Sequence, residues 1–222
     1  MRKLIASTFV SLDGIMQAPG GPEEDSTGGF AFGGWTFNYW DEVMGRSMSG
    51  FDGKDRELLL GRRTYEIFEA YWPYQPADDP IARTFNATRK HVASRTLEKL
   101  HWNNSTLLHG DVFSAVTALK AESGRDLQII GSGNLIQALR AASLIDEYNV
   151  WIFPVVLGSG KRLFEAGAKP GALQLVASQT STTGVVMSTY VPAGDVPIGS
   201  FAQTKPSARE LERRAKLARE AD

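Results

Sequence analysis

The amino-acid sequence predicts an α/β fold: a mostly parallel sheet covered by helices, with an antiparallel hairpin at its C-terminal end. Three observations carry this. Short runs of β-favouring residues alternate with segments of helical spacing along most of the chain. The alternation gives way to two runs, 173–180 and 185–190, that flank the short segment 181–184 and so pair locally. Finally, 222 residues with 42% apolar and 22% charged side chains make an ordinary globular composition, enough for one large domain with appendages and a sizeable core.

Taken in order, 4–10 is rich in β-favouring residues, is bounded by polar turn residues, and reads as a buried strand. Residues 17–39 differ, with Gly20, Gly21, Gly28, Gly29, Gly33, Gly34, Pro19 and Pro22. Loops of this length are functional lids or disordered segments. Phe30, Phe32, Trp35, Phe37, Tyr39 and Trp40 interleave the second half, and two readings stay open. The aromatics close over a flat ligand, or they anchor the loop to the core. A helix is predicted over 41–49, a strand over 57–60 stopped by Gly61, and a helix over 64–71 ended by Trp72-Pro73. Short strands follow at 91–94 and 105–108. Asp111 caps a helix reaching residue 122, with Val112, Val116 and Leu119 on one face. The segment 127–130 is a strand, 134–142 a helix, and 149–153 a strand broken at Pro154. There is no internal repeat. In 205–222, Ser207 and Glu210 form a capping-box pattern, and Leu211, Ala215 and Ala218 give a thin apolar stripe. The chain thus divides into a domain over 1–192 and an extension over 193–222 with a charged, solvated or partner-docked helix.

A net charge of -1 argues against a general binder of nucleic acid or anionic membrane. The terminal helix region carries six basic and four acidic residues, a poor pattern for specific nucleic-acid contact. The absence of cysteine excludes disulfides, Cys-ligated zinc, iron–sulfur clusters and thiol catalysis. His91, His101 and His109 are scattered without helical pairing, so no metal site is expected. No apolar run approaches the roughly 20 residues that span a bilayer. The N-terminus superficially resembles a signal peptide, but its apolar stretch is short, interrupted by Ser and Thr, and runs into Asp13-Gly14. A cytoplasmic protein is the expectation.

Three strand-to-turn junctions stand out. In LLLGRRT, a strand ends at Gly61 and a helix begins by Thr64, so unpaired amides and Arg62 or Arg63 suit an anion. The plain alternative is a capped helix with solvated arginines. In HVASRT, Ser94 and Arg95 set a hydroxyl beside a guanidinium, which suits a phosphate monoester, or they are an ordinary polar strand end. In QIIGSGNLIQAL, a strand runs through Gly131-Ser132-Gly133 straight into a helix, which lets backbone approach a pyrophosphate. It is not the Rossmann fingerprint, because Ile136 stands where the third glycine belongs. If these strands are neighbours, the three junctions meet in one crevice and match the charge layout of NADPH.

LIASTFVSLDG, LLLGRRTYE, HVASRTL, IIGSGNLIQAL and LIDEYNVWIFPVVLGSGKRLF occur in the order found in the dihydrofolate reductase superfamily. Over roughly residues 2–192 the chain most resembles the C-terminal reductase domain of the riboflavin-biosynthesis deaminase-reductase, in stand-alone form. The resemblance implies a three-layer α/β/α dihydrofolate-reductase-like fold with NADPH as hydride donor. It implies that Gly61, Arg62 and Thr64 form the phosphate-binding helix start and that Ser94 and Arg95 meet the adenosine 2′-phosphate. It further implies that Gly131, Ser132, Gly133, Asn134 and Leu135 form the pyrophosphate turn, and that Ser7 lies near the nicotinamide. Gly131-Ser132-Gly133 replaces the Gly-Gly pair of true dihydrofolate reductases, which brings the chain nearer the riboflavin branch. No zinc-ligand signature accompanies it, so deamination is not expected.

The resemblance puts Asp41 near the place of the family's carboxylate, and Asp13 in SLDG is the second catalytic candidate; a helix-start acid and a turn residue are their plain alternatives. Lys161 and Arg162 bind a substrate phosphate or decorate a loop. The expected activity is NADPH-dependent reduction of a small pterin-like or aminopyrimidine-like heterocycle. A nucleotide-binding module without catalysis is the alternative, and a flavin carrier a third. The resemblance also implies a homodimer, with the run VWIFPVV and the terminal helix as surfaces that would support it.

Overall fold

The short apolar runs become strands of a single sheet in the computed structural model, which describes residues 1–48, 55–201 and 205–220. The strands are β1 (Leu4–Ser11), β2 (Arg56–Gly61), β3 (Lys90–Ala93), β4 (Ser105–Leu108), β5 (Asp126–Ile130), β6 (Glu147–Phe153), β7 (Leu173–Thr180) and β8 (Val186–Pro192). Their order across the sheet is β4-β3-β2-β5-β1-β6-β8-β7. From β4 to β6 every pairing is parallel, while β8 runs antiparallel to β6 and β7 antiparallel to β8. This is the mostly parallel sheet with a C-terminal hairpin that the alternation predicts.

The helices are α1 (Glu42–Ser47), α2 (Arg62–Glu69), α3 (Pro80–Ala87), α4 (Val112–Ala121), α5 (Gly133–Ala141) and α6 (Ala208–Glu220). Alternation along β1 sends Leu4, Ala6 and Val10 to one face, where Val116 and Leu119 of α4 and Leu135, Ile136 and Leu139 of α5 cover them. The opposite face is covered in two parts. Tyr65 of α2 and Phe85 of α3 pack with Trp102 over Leu58, Leu60 and Val92. Beside them Ile15, Ala18, Phe30, Trp35 and Met44 pack on Trp151 and Phe153. Each large side chain buried in this way contributes about 1.5–3 kcal/mol.

Local differences from the sequence reading have physical causes. No element is predicted over 80–87, where α3 forms. Its signal is nonetheless present: Asp79 accepts the N–H groups of Ile81 and Ala82 at 2.8 and 2.9 Å, and Pro80 takes the first helical position. Helix α2 starts at Arg62 rather than Thr64, which makes Gly61 its N-cap. Helix α1 is shorter than 41–49, because Asp41 caps it from outside; Ser49 lies outside the described residues. In the 17–39 loop Phe30 and Trp35 are buried anchors, whereas Phe32 and Phe37 are exposed. Ser207 caps α6, accepting the Glu210 N–H at 3.2 Å, and Glu210 turns to Arg213 and Arg214 instead of reaching back. Among the described residues no helix is long and apolar enough to cross a membrane.

Candidate functional site

Parallel strands end on the same rim, and β3, β2 and β5 are adjacent in the sheet. The three junctions therefore meet. Gly61 ends β2 opposite Ala93 of β3, so Ser94 and Arg95 leave the sheet directly beside it. Ile130 ends β5 opposite Ser7 of β1, and the Gly131 N–H donates to the Ser7 carbonyl at 3.3 Å.

Hydrogen bonds lock the junctions together. Ser132 Oγ accepts the Gly61 N–H at 3.0 Å, and Thr64 Oγ1 accepts the Ser132 N–H at 3.0 Å. The two hydroxyls lie 3.0 Å apart. Gly131 and Ser132 both take left-handed backbone angles, φ +58° and +54°, which turn the chain abruptly from β5 into α5. A Cβ on Gly131 would meet Thr64 Oγ1 at 3.3 Å, and one on Gly133 would meet Met16 Sδ at 2.9 Å. The N-termini of α2 and α5 thus stand side by side. Neither has a side-chain cap or an acidic residue in its first turn, so both present positive dipole ends. Arg62, half-exposed, adds charge there and lies 3.9 Å from Glu66. Asn134 is exposed, while Leu135 packs into the core and offers the site only its backbone.

The Ser94 hydroxyl accepts the N–H groups of Thr96 and Leu97 at 3.1 and 3.0 Å, which shapes the turn that leaves Arg95 exposed. Ser7 is buried, and its hydroxyl accepts from Gln128 Nε2 at 2.8 Å. Gln128 escapes the sequence reading, although one polar residue in the middle of an apolar strand run is its signal. On the same face as Ser7, the Phe9 ring centre lies 5.2 Å from Trp151 and 6.2 Å from Trp40, an aromatic wall next to the rim.

Both candidate acids are fully engaged. Asp13 accepts from the Ser11 hydroxyl at 2.7 Å and from the N–H groups of Leu157 and Gly158 at 3.1 and 2.9 Å. These bonds, that of Ser11 foremost, hold its pKa down at about 2. Asp41 accepts from Met44 N–H at 2.8 Å with one oxygen, and from the Thr182 N–H and hydroxyl at 2.6 and 2.7 Å with the other. Its pKa is lowered too, by the Met44 amide first. Asp41 ties α1 to the β7–β8 turn, at the other end of the rim from the junctions. Arg162 donates to the Asp13 carbonyl and lies 3.8 Å from its carboxylate. Lys161 pairs with Asp25 of the 17–39 loop.

Comparison with known proteins agrees with this architecture. The model of the RibD C-terminal domain matches residues 2–187. The uncharacterized protein YyaP of Bacillus subtilis (strain 168) is 27% identical over 192 residues, covering 85% of this chain and 94% of that protein. YwjB of the same organism is 26% identical over 166 residues, covering 73% and 83%. Among solved structures, a protein named for riboflavin biosynthesis from Shewanella sp. PV-4 superimposes with a TM-score of 0.62 at 19% identity, over 87% of this chain and 99% of that one. Dihydrofolate reductase from Enterococcus faecalis, complexed with NADP(H) and RAB-propyl, gives 0.55 at 13%, over 86% and 96%. A pyrimidine reductase-like protein from Corynebacterium diphtheriae gives 0.58 at 12%, over 87% and 93%. The fold is that of dihydrofolate reductase.

Proposed function

The chain belongs to the RibD C-terminal domain family, and from that premise we propose that it is an NADPH-dependent reductase of a small pyrimidine-like or pterin-like heterocycle. The observation that carries the reading is the pair of uncapped helix starts, α2 and α5, joined through Thr64 and Ser132 on the rim. Two positive dipole ends so placed suit a pyrophosphate. The residues present suit the coenzyme, since neither helix start has a side-chain cap or an acidic first turn and Arg62 adds positive charge beside them. Gly61, Arg62 and Thr64 would hold one phosphate and Gly131 to Leu135 the other, with Ser94 and Arg95 taking the 2′-phosphate. Ser7, beside Gly131, would border the nicotinamide.

When bound, the reduced nicotinamide supplies the hydride. The chain supplies orientation, and the wall of Phe9, Trp151 and Trp40 limits water on the same face. Asp13 and Asp41 are held ionised by their hydrogen bonds, so neither carries a proton to give at neutral pH. Their parts are then positioning ones, fastening the 11–14 turn and α1. This same observation favours the second reading, a coenzyme-binding module without turnover. Stopped-flow loss of NADPH absorbance with aminopyrimidine and pterin substrates separates the two: oxidation supports the reductase, and tight binding without oxidation supports the module.

We also infer a homodimer formed along β7. All eight residues of this edge strand are exposed, and Leu173–Thr180 contains no charge and no proline to guard the edge. A second copy satisfies the open backbone groups by antiparallel pairing.

A further inference from the structure

A cavity of about 410 Å³ lies over β6, β8 and β7, and Trp151 of the aromatic wall lines it. That volume is in the range of small-molecule sites. Two rungs of the sheet build its floor. Asn149 of β6 is paired in register with Ser7 of β1 on one side and Thr189 of β8 on the other, and Trp151 is paired in the same way with Phe9 and Met187. Alternation puts these side chains on one face. Neighbouring strands lie about 4.8 Å apart, so Asn149 stands one strand away from Ser7.

The polar groups of the cavity are sorted by sign. Thr189 Oγ1 donates to Asn149 Oδ1 at 2.9 Å, which fixes the amide with its oxygen toward β8. Nδ2 is left with two donors, and among the described residues it makes no hydrogen bond. Gln179 repeats the arrangement at the mouth, where Ser47 Oγ lies 3.4 Å from its Oε1. Glu147, the acid of the cavity, faces Lys3 at 3.5 Å. The amides thus offer N–H groups, and the carboxylate already has a cation beside it.

We infer that Asn149 determines which ring the protein accepts: held by Thr189, its Nδ2 donates to a carbonyl oxygen of a heterocycle seated against Trp151, and a ring with an amino group at that place is rejected. An oxygen there completes the amide's bonding. An amino group sets donor against donor and leaves both without an acceptor, which is the costly case. The inference rests on the reductase reading only in taking this cavity, one strand from Ser7, as the seat of the ring that is reduced.

Calorimetry on the whole chain, with and without NADPH, tests it with two probes that differ at one position, pterin (2-amino-4-oxopteridine) and 2,4-diaminopteridine. Wild type should bind pterin roughly tenfold tighter or better. Asn149→Asp replaces the donors by an acceptor and should reverse the order. Thr189→Val releases the amide and should shrink the preference, while Thr189→Ser keeps the hydroxyl and should retain it. NADPH affinity, read by fluorescence titration, should stay the same in all three variants, which also reports that each is folded. Equal binding of the two pteridines by wild type, binding of neither, or a Thr189→Val protein as selective as wild type overturns the proposal, and so does a folded Asn149→Asp protein with the wild-type order. A protein that binds NADPH but fails these tests loses this role for Asn149 and keeps its coenzyme reading. One that selects pterin through Asn149 without binding NADPH loses the coenzyme reading and keeps the cavity.

Discussion

Thr64 Oγ1 accepts both the backbone N–H and the hydroxyl of Ser132 at 3.0 Å, and with the Gly61 N–H bond to the Ser132 hydroxyl these join the start of α2 to the start of α5. Valine at position 64 keeps the shape and removes the acceptor. Leaving a partly buried N–H unpaired costs about 1–3 kcal/mol. Thr64→Val should therefore weaken NADPH binding by about tenfold or more, read by fluorescence titration.

Arg95 is exposed beside Ser94, at the rim position that would meet a 2′-phosphate. Hydrogen bonds to charged groups contribute about 1.5–3 kcal/mol, so Arg95→Ala should weaken NADPH by roughly 10-fold to 100-fold. NADH, which lacks that phosphate, should bind as before. Equal loss for both coenzymes removes the 2′-phosphate assignment.

Lys90 is wholly buried, and its ammonium donates to the carbonyls of Phe85 and Thr88 at 2.7 and 2.6 Å, 4.1 Å from the Trp102 ring centre. Burial outweighs these partners and lowers its pKa from 10.5 to about 8. Between those values the unfolded chain holds a proton that the folded chain has released, so stability rises with pH. The slope is at most about 1.4 kcal/mol per pH unit. Tyr148, pushed up to about 12 by burial, acts in the opposite sense above its ordinary 10.0, because the unfolded chain loses that proton first. Urea unfolding should show wild-type stability climbing between about pH 8 and pH 10, and Lys90→Met should remove the climb.

The β7 edge predicts a concentration-dependent dimer. Val176 is 60% exposed in the middle of the strand. The strand has a register irregularity there, between Leu175 and Ala177, but no charge; a lysine adds that charge, so Val176→Lys should elute as a monomer in gel filtration where the wild type elutes as a dimer. A monomeric wild type at the highest soluble concentration removes the dimer.

The sheet was legible because its parallel strands are short apolar runs separated by helical spacing, and the Gly61 and Gly131–Gly133 junctions because glycine marks an abrupt turn. Helix α3 went unread, although Asp79-Pro80 announces its start. What stayed illegible is which side chains meet across distant segments. Asp25 reads as one acid among several in a glycine-rich loop, and only folding sets it against Lys161 and Arg63. Gln17 likewise looks like an ordinary polar loop residue until its buried amide is seen bridging three backbone groups. Asp13 and Asp41 are candidate acids in sequence, and only folding shows which backbone and hydroxyl groups each accepts from.

Ser132 sits at φ +54°, an angle that an L-residue tolerates at a penalty of roughly 1–2 kcal/mol. Glycine would relax the peptide but remove the hydroxyl that receives Gly61. Comfort of the main chain at this peptide and the tie between two distant strand ends are therefore set against each other at a single residue, and the left-handed angle is held by the bond that the hydroxyl receives.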